Sequence, residues 1–285
     1  MTTLSTKTLK QVVCGIQKLY PISFADNSWD NTGLLVDCSV STTNETKTKL
    51  LLTVDLTQSV ADEAVTTGCN LILAYHPFIF RGLKSIRPSD PQQSSLIKLI
   101  RSGISVYCPH TAIDAAKGGV NDWLAEGITD RDANLKEKTI IEPNSDGIDG
   151  VGMGRLVVLK RPISLRSVIK RVKKNLKIEH IQLATKHPDQ LDELSIRTVA
   201  ICAGSGSSLF RNVRADLYYT GELAHHEALF YKECGAHVIA CNHSNTERGF
   251  LQVLKLQLNE QFKQMGLEQV NITISLTDRD PYQVV

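Results

Sequence analysis

Short apolar runs rich in β-branched residues alternate with amphipathic helical patterns along nearly the whole chain. Runs such as Leu71 to Ala74 and Val238 to Ala240 are continuously apolar, which is typical of strands buried on both faces. The predicted strands cover 50–56, 70–76, 104–110, 155–159, 180–184, 197–203, 215–220, 237–243 and 271–276, and the predicted helices cover 7–19, 57–67, 91–101, 119–126, 164–175, 222–233 and 247–261. This alternation predicts α/β layers with mixed or mostly parallel sheets.

The length of 285 residues predicts about two domains, at roughly 150 residues each. Residues 129–150 are charged, then rich in Asp, Gly, Pro and Asn, and they show little periodicity, so we place the boundary there. We expect a first α/β lobe at 1–128 and a second at 151–245. Residues 246–285 are expected to form a C-terminal helix and strand that pack back on the first lobe.

The charge balance and the cysteines exclude several classes of protein. Lys and Arg total 32 and Asp and Glu total 30, so the chain is no strongly basic nucleic-acid binder, although a local basic patch stays open. No apolar run approaches the roughly 18 residues of a membrane-spanning helix. Seven cysteines without a CxxC pair favour a reducing compartment, and we expect a cytoplasmic protein. Lys7, Lys10 and Lys18 in an acid-free N-terminal stretch leave a mitochondrial location open.

Three predicted strands end in a histidine, namely His76, His110 and His243. In open α/β sheets, ligands bind beyond the carboxyl ends of the strands, and imidazole is the commonest side-chain metal ligand. If the strands are parallel neighbours, the three imidazoles meet at one edge and predict a metal site. The alternative is that each histidine caps the core or bonds a nearby carbonyl.

Two of these histidines have an acid four residues later, Asp114 after His110 and Glu247 after His243. Each loop could therefore offer a nitrogen and an oxygen to one cation. Both acids also fit loose helix capping boxes, which start at Thr111 and Ser244. On a further predicted helix, the adjacent histidines 225 and 226 point about 100° apart, so only one can face a given site.

Six motifs occur in an order that resembles the NGG-one-interacting-factor-three (Nif-three-like) family, also known as type 2 homologues of GTP cyclohydrolase I. They are DNSWDNTGLL from Asp26, YHPFIF from Tyr75, HTAIDAAKGGVN from His110, AGSG from Ala203, TGELAHH from Thr220 and HSNTE from His243. The resemblance runs from about Lys10 to beyond residue 270. It implies two interlinked α/β lobes, a ring-shaped hexamer and a dinuclear metal centre between the lobes.

Carried over by motif, the resemblance also implies the ligands of one or two divalent ions (zinc, iron or manganese). His76 and Asp114 would hold one metal, His243 would hold the other, and Glu247 would bridge both. His110 would lie close by, without binding a metal directly. His225 or His226 would line the cleft, and these two histidines and His110 are the candidates for proton transfer.

The chain departs from the family pattern at Tyr75, where many members have a histidine that binds the second metal. A neutral phenol, with a pKa of about 10, is a poor ligand at pH 7. We therefore expect unequal occupancy of the two metal positions.

Two functions remain open at the level of the sequence. The first is a metal-dependent hydrolase of a nucleotide or another small molecule. The second is a non-enzymatic metal-binding hexameric scaffold with a protein partner in transcription, which the family name implies. No membrane association and no clear nucleic-acid binding are expected.

Overall fold

The structure is a computed structural model that describes residues 3–43, 46–144 and 146–285. The described helices are α1 (Thr6–Leu19), α2 (Gln58–Thr67), α3 (Pro91–Arg101), α4 (Thr111–Ala115), α5 (Val120–Thr129), α6 (Leu165–Leu176), α7 (His225–Glu233), α8 (Asn245–Arg248) and α9 (Phe250–Gln264). The described strands are β1 (Gly33–Val36), β2 (Lys49–Thr53), β3 (Leu71–Ala74), β4 (Ser105–Cys108), β5 (Leu135–Pro143), β6 (Gly152–Ser164), β7 (Gln182–Ala184), β8 (Ser195–Ser205), β9 (Leu217–Glu222), β10 (His237–Ala240) and β11 (Asn271–Ile274). Among them, no helix has both the length and the apolar character needed to cross a membrane.

The chain divides into two compact units. The first contains Met1–Ile113 and Leu251–Arg279, and the second contains Asp114–Phe250 and Asp280–Val285. The C-terminal helix α9 and strand β11 therefore belong to the first unit.

The first unit is built on a five-stranded sheet with the order β1-β4-β3-β2-β11. Strands β4, β3, β2 and β11 are parallel, and β1 is antiparallel to β4. The central strands are buried along their whole length, as their continuous apolar runs predict. One face is covered by α2 and α3 around a core of Val36, Leu51, Val60, Ala61, Ala64, Cys69, Ile72, Ala74, Phe78, Leu96, Leu99, Ile104 and Val106.

The second unit is built on a six-stranded sheet with the order β5-β6-β8-β9-β10-β7. Strands β8, β9 and β10 are parallel, whereas β5, β6 and β7 are antiparallel to their neighbours. Both sheets are thus mixed, and the predicted α/β class is confirmed. Because β10 lies in this second sheet, His243 does not share a sheet edge with His76 and His110.

The largest difference from the sequence prediction is in segment 129–150, where residues 135–143 form strand β5 instead of a linker. This strand is the edge of the second sheet, and Lys136 and Glu137 are exposed on it. Charged residues are common on edge strands because they discourage pairing with other chains. Because of these charges, the segment lacks the continuous apolar run that marks the other strands in the sequence.

A buried ion pair ties β6 to α5 in the second unit. The Arg155 guanidinium donates to both carboxylate oxygens of Asp122, at 2.8 and 3.1 Å, and to the carbonyls of Ala116, Gly152 and Gly154. Burial alone would raise the pKa of Asp122, but hydrogen bonds and charge from Arg155 outweigh it and lower the pKa. The pair therefore fixes the loop that follows Asp114.

We expect Arg155→Met to lower the free energy of unfolding by about 3 kcal/mol, because it leaves a buried carboxylate short of its main partner. Arg166→Met is the matched control. Its partner Asp192 is exposed, so that loss should stay below about 1 kcal/mol. The free energies are measured by urea unfolding.

The same variant should show a characteristic pH dependence. The folded pKa of Asp122 lies below its unfolded value, so the stabilisation is present above pH about 4 and is lost as the pH falls. The difference between wild type and Arg155→Met should therefore shrink in acid. Equal losses in the Arg155 and Arg166 variants at pH 7 would contradict the assignment.

Candidate metal centre

Two histidines of the first unit lie beyond the ends of neighbouring parallel strands. His76 follows β3 and His110 follows β4, and their ring centroids are 5.5 Å apart. The ring of Tyr75 lies edge-on to both, at 5.4 and 6.1 Å, and is fully buried. The shared sheet edge thus brings His76 and His110 together, as the strand-end pattern predicts.

A carboxylate orients the imidazole of His76. Its Nδ1 lies 2.9 Å from Oδ1 of Asp55, a residue just beyond the end of β2. Asp278, from the C-terminal segment, accepts hydrogen bonds from the backbone N–H groups of Val54 and Asp55 at 2.8 and 3.4 Å. These two hydrogen bonds fix the backbone at Asp55. Because Nδ1 of His76 is bonded to Asp55, Nε2 is the ring nitrogen that can bind a ligand.

A second carboxylate orients His110. Its Nδ1 lies 2.7 Å from Oδ1 of Asp30, whose side chain is fully buried. Burial would raise the pKa of Asp30, but hydrogen bonding and charge from His110, with hydrogen bonds from Thr111, outweigh it and lower the pKa. The backbone of His110 has a φ of +29°, which is uncommon for a residue other than glycine. Local strain at this position is a feature of functional sites.

In the second unit, the imidazole of His243 lies between two carboxylates. Its Nδ1 is 2.8 Å from Oε1 of Glu222, and its Nε2 is 3.4 Å from Oε1 of Glu247. The side chain of Glu247 is only 4% exposed, whereas those of His243 and Glu222 are 40% and 57% exposed. One imidazole thus bridges a half-exposed acid and a buried acid.

This arrangement suits a cation. A neutral imidazole that donates from Nδ1 to Glu222 has a lone pair on Nε2, which then faces the negative Glu247 oxygen. Two such acceptors are compatible when a proton or a metal ion lies between them. Metal-binding histidines usually donate their other ring N–H to a carboxylate or a carbonyl, as all three histidines here can.

Gly204 keeps space open beside this pair. A Cβ at position 204 would lie 2.7 Å from Nε2 of His243 and 2.9 Å from Oε1 of Glu247, and the backbone φ is +61°. Any larger residue would meet both steric conflict and backbone strain. The glycine therefore leaves room at the two atoms best placed to bind an ion.

Asp114 lies at the start of the second unit, in α4. Its backbone carbonyl accepts from Nδ2 of Asn121, whose Oδ1 accepts from the N–H of Ala203 beside Gly204. Burial raises the pKa of the Cys202 thiol, and the negative charges of Asp114 and Glu247 raise it further. Both carboxylates thus act on the same buried thiol.

The capping box considered for Ser244 and Glu247 lacks its side-chain hydrogen bond from Ser244. Ser244 makes no side-chain cap hydrogen bond, and its hydroxyl donates to Asp280 instead. The Thr111 hydroxyl donates to Asp30. Both acids nevertheless lie in the first turn of a short helix, where a negative charge is favourable.

His225 and His226 form the first turn of α7, three and four residues after Glu222. Both are exposed, and their rings lie edge-on at 5.2 Å from each other. Their role in lining a cleft stays a prediction.

Sequence reasoning missed the residues that support the histidines. Asp55, Asp30 and Glu222 each hold an Nδ1 atom. Asp55 and Glu222 each precede their histidine by 21 residues, whereas Asp30 precedes His110 by 80. A signal existed for two of them, because Asp55 and Glu222 are also at strand ends. In both sheets, the acid at the end of one strand pairs with the histidine that follows the neighbouring strand.

We expect Gly204→Ala to displace His243 or Glu247 and to lower the bound metal content after saturation and dialysis. Gly147→Ala is the matched control, since its φ of +65° is similar but nothing lies within 4 Å of the added Cβ. Both substitutions strain the backbone by about 1 kcal/mol, and only the first should alter metal content. The same metal loss in both variants would show that the close approach is unimportant.

Comparisons with known proteins identify the family of this chain. The family model Duf34/NIF3 (NGG1p interacting factor 3) matches residues 7–281. NGG1-interacting factor 3 of Saccharomyces cerevisiae is 49% identical, over 97% of this chain and 96% of its own length. Protein NIF3 homolog of Schizosaccharomyces pombe is 46% identical, over 96% and 95%.

A solved structure supports the fold. The Bacillus cereus protein related to NIF3 superposes with a TM-score of 0.81 at 21% identity, over 97% of this chain and 98% of its own. The family resemblance inferred from the six motifs is confirmed, and this chain belongs to the Duf34/NIF3 family.

Proposed function

We propose that this chain is a metal-binding protein that holds one or two divalent ions (zinc, iron or manganese). The proposed ligands are His76, Asp114, His243 and Glu247. Three of them, His76, His243 and Glu247, each offer one ligand atom, an imidazole nitrogen or a carboxylate oxygen. These donor types suit all three metals.

The position of His243 carries the proposal. Its Nδ1 is held by Glu222 while its Nε2 faces the buried Glu247, and Gly204 leaves space beside both atoms. A bound cation next to the buried Glu247 carboxylate would be attracted by its negative charge. His76, with Nδ1 on Asp55, has the same tautomer control.

Tyr75 bears on the second ion. Its side chain is fully buried in the first unit, at a position where the family resemblance expects a histidine ligand. Fewer nitrogen ligands stabilise a cation less. We therefore propose unequal sites, with a metal content between one and two per chain.

We further propose hydrolysis of a nucleotide or another small molecule at this centre. A divalent ion lowers the pKa of a bound water towards ~7 and polarises a substrate oxygen. His110 is the proposed proton-transfer residue, because the Asp30 carboxylate at Nδ1 orients the imidazole and leaves Nε2 to exchange a proton. The exposed His225 and His226 are the alternatives for this role.

The second candidate is a non-enzymatic scaffold. It is favoured by the name of the yeast relative, NGG1-interacting factor 3, which describes a protein that interacts with a partner. In this function the metal stabilises the assembly. In either function we propose a homo-oligomer near six times 31.5 kDa, in the cytoplasm or in mitochondria.

Metal affinity should depend on the carboxylate that holds His243. Glu222→Gln should weaken zinc binding 10- to 100-fold, because it removes the acid that orients His243. Glu233→Gln, at an exposed acid in the same unit, is the control and should have no effect. Affinities are measured by competition with a chromophoric chelator. Equal affinities in both variants would contradict the role of His243.

Turnover should depend on the proposed proton-transfer residue, His110. Metal-loaded protein, screened against phosphomonoesters, phosphodiesters and cyclic amides, should hydrolyse at least one class. His110→Gln should reduce that rate by about 10²- to 10⁴-fold while metal content stays unchanged. No turnover of any class by the fully loaded protein would favour the scaffold.

A further inference from the structure

An exposed pair of aromatic rings lies beside His110 in the first unit. Trp29 is 51% exposed and Phe80 is 46% exposed, and their ring centroids are 6.1 Å apart at an interplanar angle of 51°. Trp29 also lies edge-on to His110, with centroids 5.7 Å apart. Half of each aromatic side chain thus faces solvent next to the proposed proton-transfer residue.

The exposed indole is fixed in place. Its Nε1–H donates to Oδ2 of Asp26 at 2.7 Å, and the Asp26 backbone N–H donates to the Thr111 hydroxyl at 3.0 Å. The Thr111 hydroxyl in turn donates to Asp30, which holds His110. One chain of hydrogen bonds therefore sets the position of Trp29 relative to the His110 imidazole. A half-exposed aromatic ring held in one position offers a fixed surface on which another planar ring can stack.

Phe80 also lines a separate cavity of about 260 Å³. Its lining includes Arg81, Gln92 and Gln93. This volume is just below the usual range of ~300–1,000 Å³ for small-molecule pockets, so it suits one part of a ligand. The loop beyond Phe80 carries the exposed cations Arg81, Lys84 and Arg87 and has no acid before Asp90.

We propose that Trp29 and Phe80 bind a planar aromatic ring that carries an anionic group. The ring stacks on the aromatic pair, and the cations that follow Phe80 attract the anion. The bound ring would belong to the substrate of the proposed hydrolase, so this part of the proposal rests on that proposed function. The binding itself does not require the metal.

A second copy of this chain is a poorer occupant for the same surface. Three cations in the loop would lose hydration against an apolar protein surface, and no acid within residues 80–89 compensates them. A small anionic ring instead satisfies the aromatic pair and the positive charge together.

The test uses the tryptophan itself. The chain has two tryptophans, and Trp123 packs against Phe250 in the second unit, so Trp123→Phe leaves Trp29 as the single fluorophore. Adenosine 5′-monophosphate should quench this fluorescence in a saturable manner, whereas ribose 5-phosphate should not. Adenosine should bind more weakly than its monophosphate. If Trp123→Phe does not fold, calorimetry on the wild type gives the same comparison.

Calorimetric titrations of variants then assign the site. Trp29→Ala should weaken binding of adenosine 5′-monophosphate about tenfold or more, and Trp29→Phe should retain it within about threefold. Tyr282→Ala, at another exposed aromatic residue, is the control and should leave binding unchanged.

Three results would overturn the proposal. They are unchanged binding in Trp29→Ala, ribose 5-phosphate binding as tightly as the nucleotide, and a change of mass by light scattering in Trp29→Ala, which would mark a contact between copies. Metal content is measured in parallel and should be equal in all variants. A variant that loses ligand binding but keeps its full metal content is therefore distinguishable from one whose metal centre has failed.

Discussion

The pairing of each candidate histidine with a carboxylate is the interaction on which the site depends. Asp55 holds Nδ1 of His76, Asp30 holds that of His110, and Glu222 holds that of His243, at 2.7 to 2.9 Å. An imidazole that donates from Nδ1 has its lone pair on Nε2. The acids thereby decide which atom of each ring can bind a metal or exchange a proton. Without these carboxylates, each imidazole could rotate or change tautomer. Its Nε2 lone pair would then no longer point in one fixed direction.

The fold supplies these pairs through its strand ends. His76 and His110 follow adjacent parallel strands, and Asp55 follows the next strand of the same sheet. In the second sheet, β9 and β10 are parallel neighbours, β9 ends at Glu222, and His243 follows β10 by three residues. Acid and imidazole are therefore brought together by strand pairing and not by proximity in the chain. Gly204 beside His243 leaves the space that this approach requires.

Much of the fold could be predicted from the sequence, because long buried strands and amphipathic helices carry strong periodic signals. Helix α3 was predicted at its observed bounds, whereas the charged edge strand β5 gave no apolar run. The histidines were predicted because they end apolar strands. Their carboxylate partners were missed because the pairing depends on which strands become neighbours. The partners are 21 residues apart for His76 and His243 and 80 residues apart for His110. The sheet order, with β10 in a different sheet from β3 and β4, was equally invisible to periodicity.

The central claim is that the carboxylates fix the Nδ1–H tautomer, so that Nε2 is the metal-binding nitrogen. Long-range ¹H–¹⁵N correlation spectra of the histidine rings test it directly, in metal-stripped protein near pH 8 and again after zinc is added. The account predicts the Nδ1–H tautomer for His76, His110 and His243 in the stripped protein. It also predicts that the Nε2 resonances of His76 and His243 shift on zinc addition while their Nδ1 protons remain. Predominant Nε2–H tautomers in the stripped protein, or zinc-induced loss of the Nδ1 protons, would contradict it.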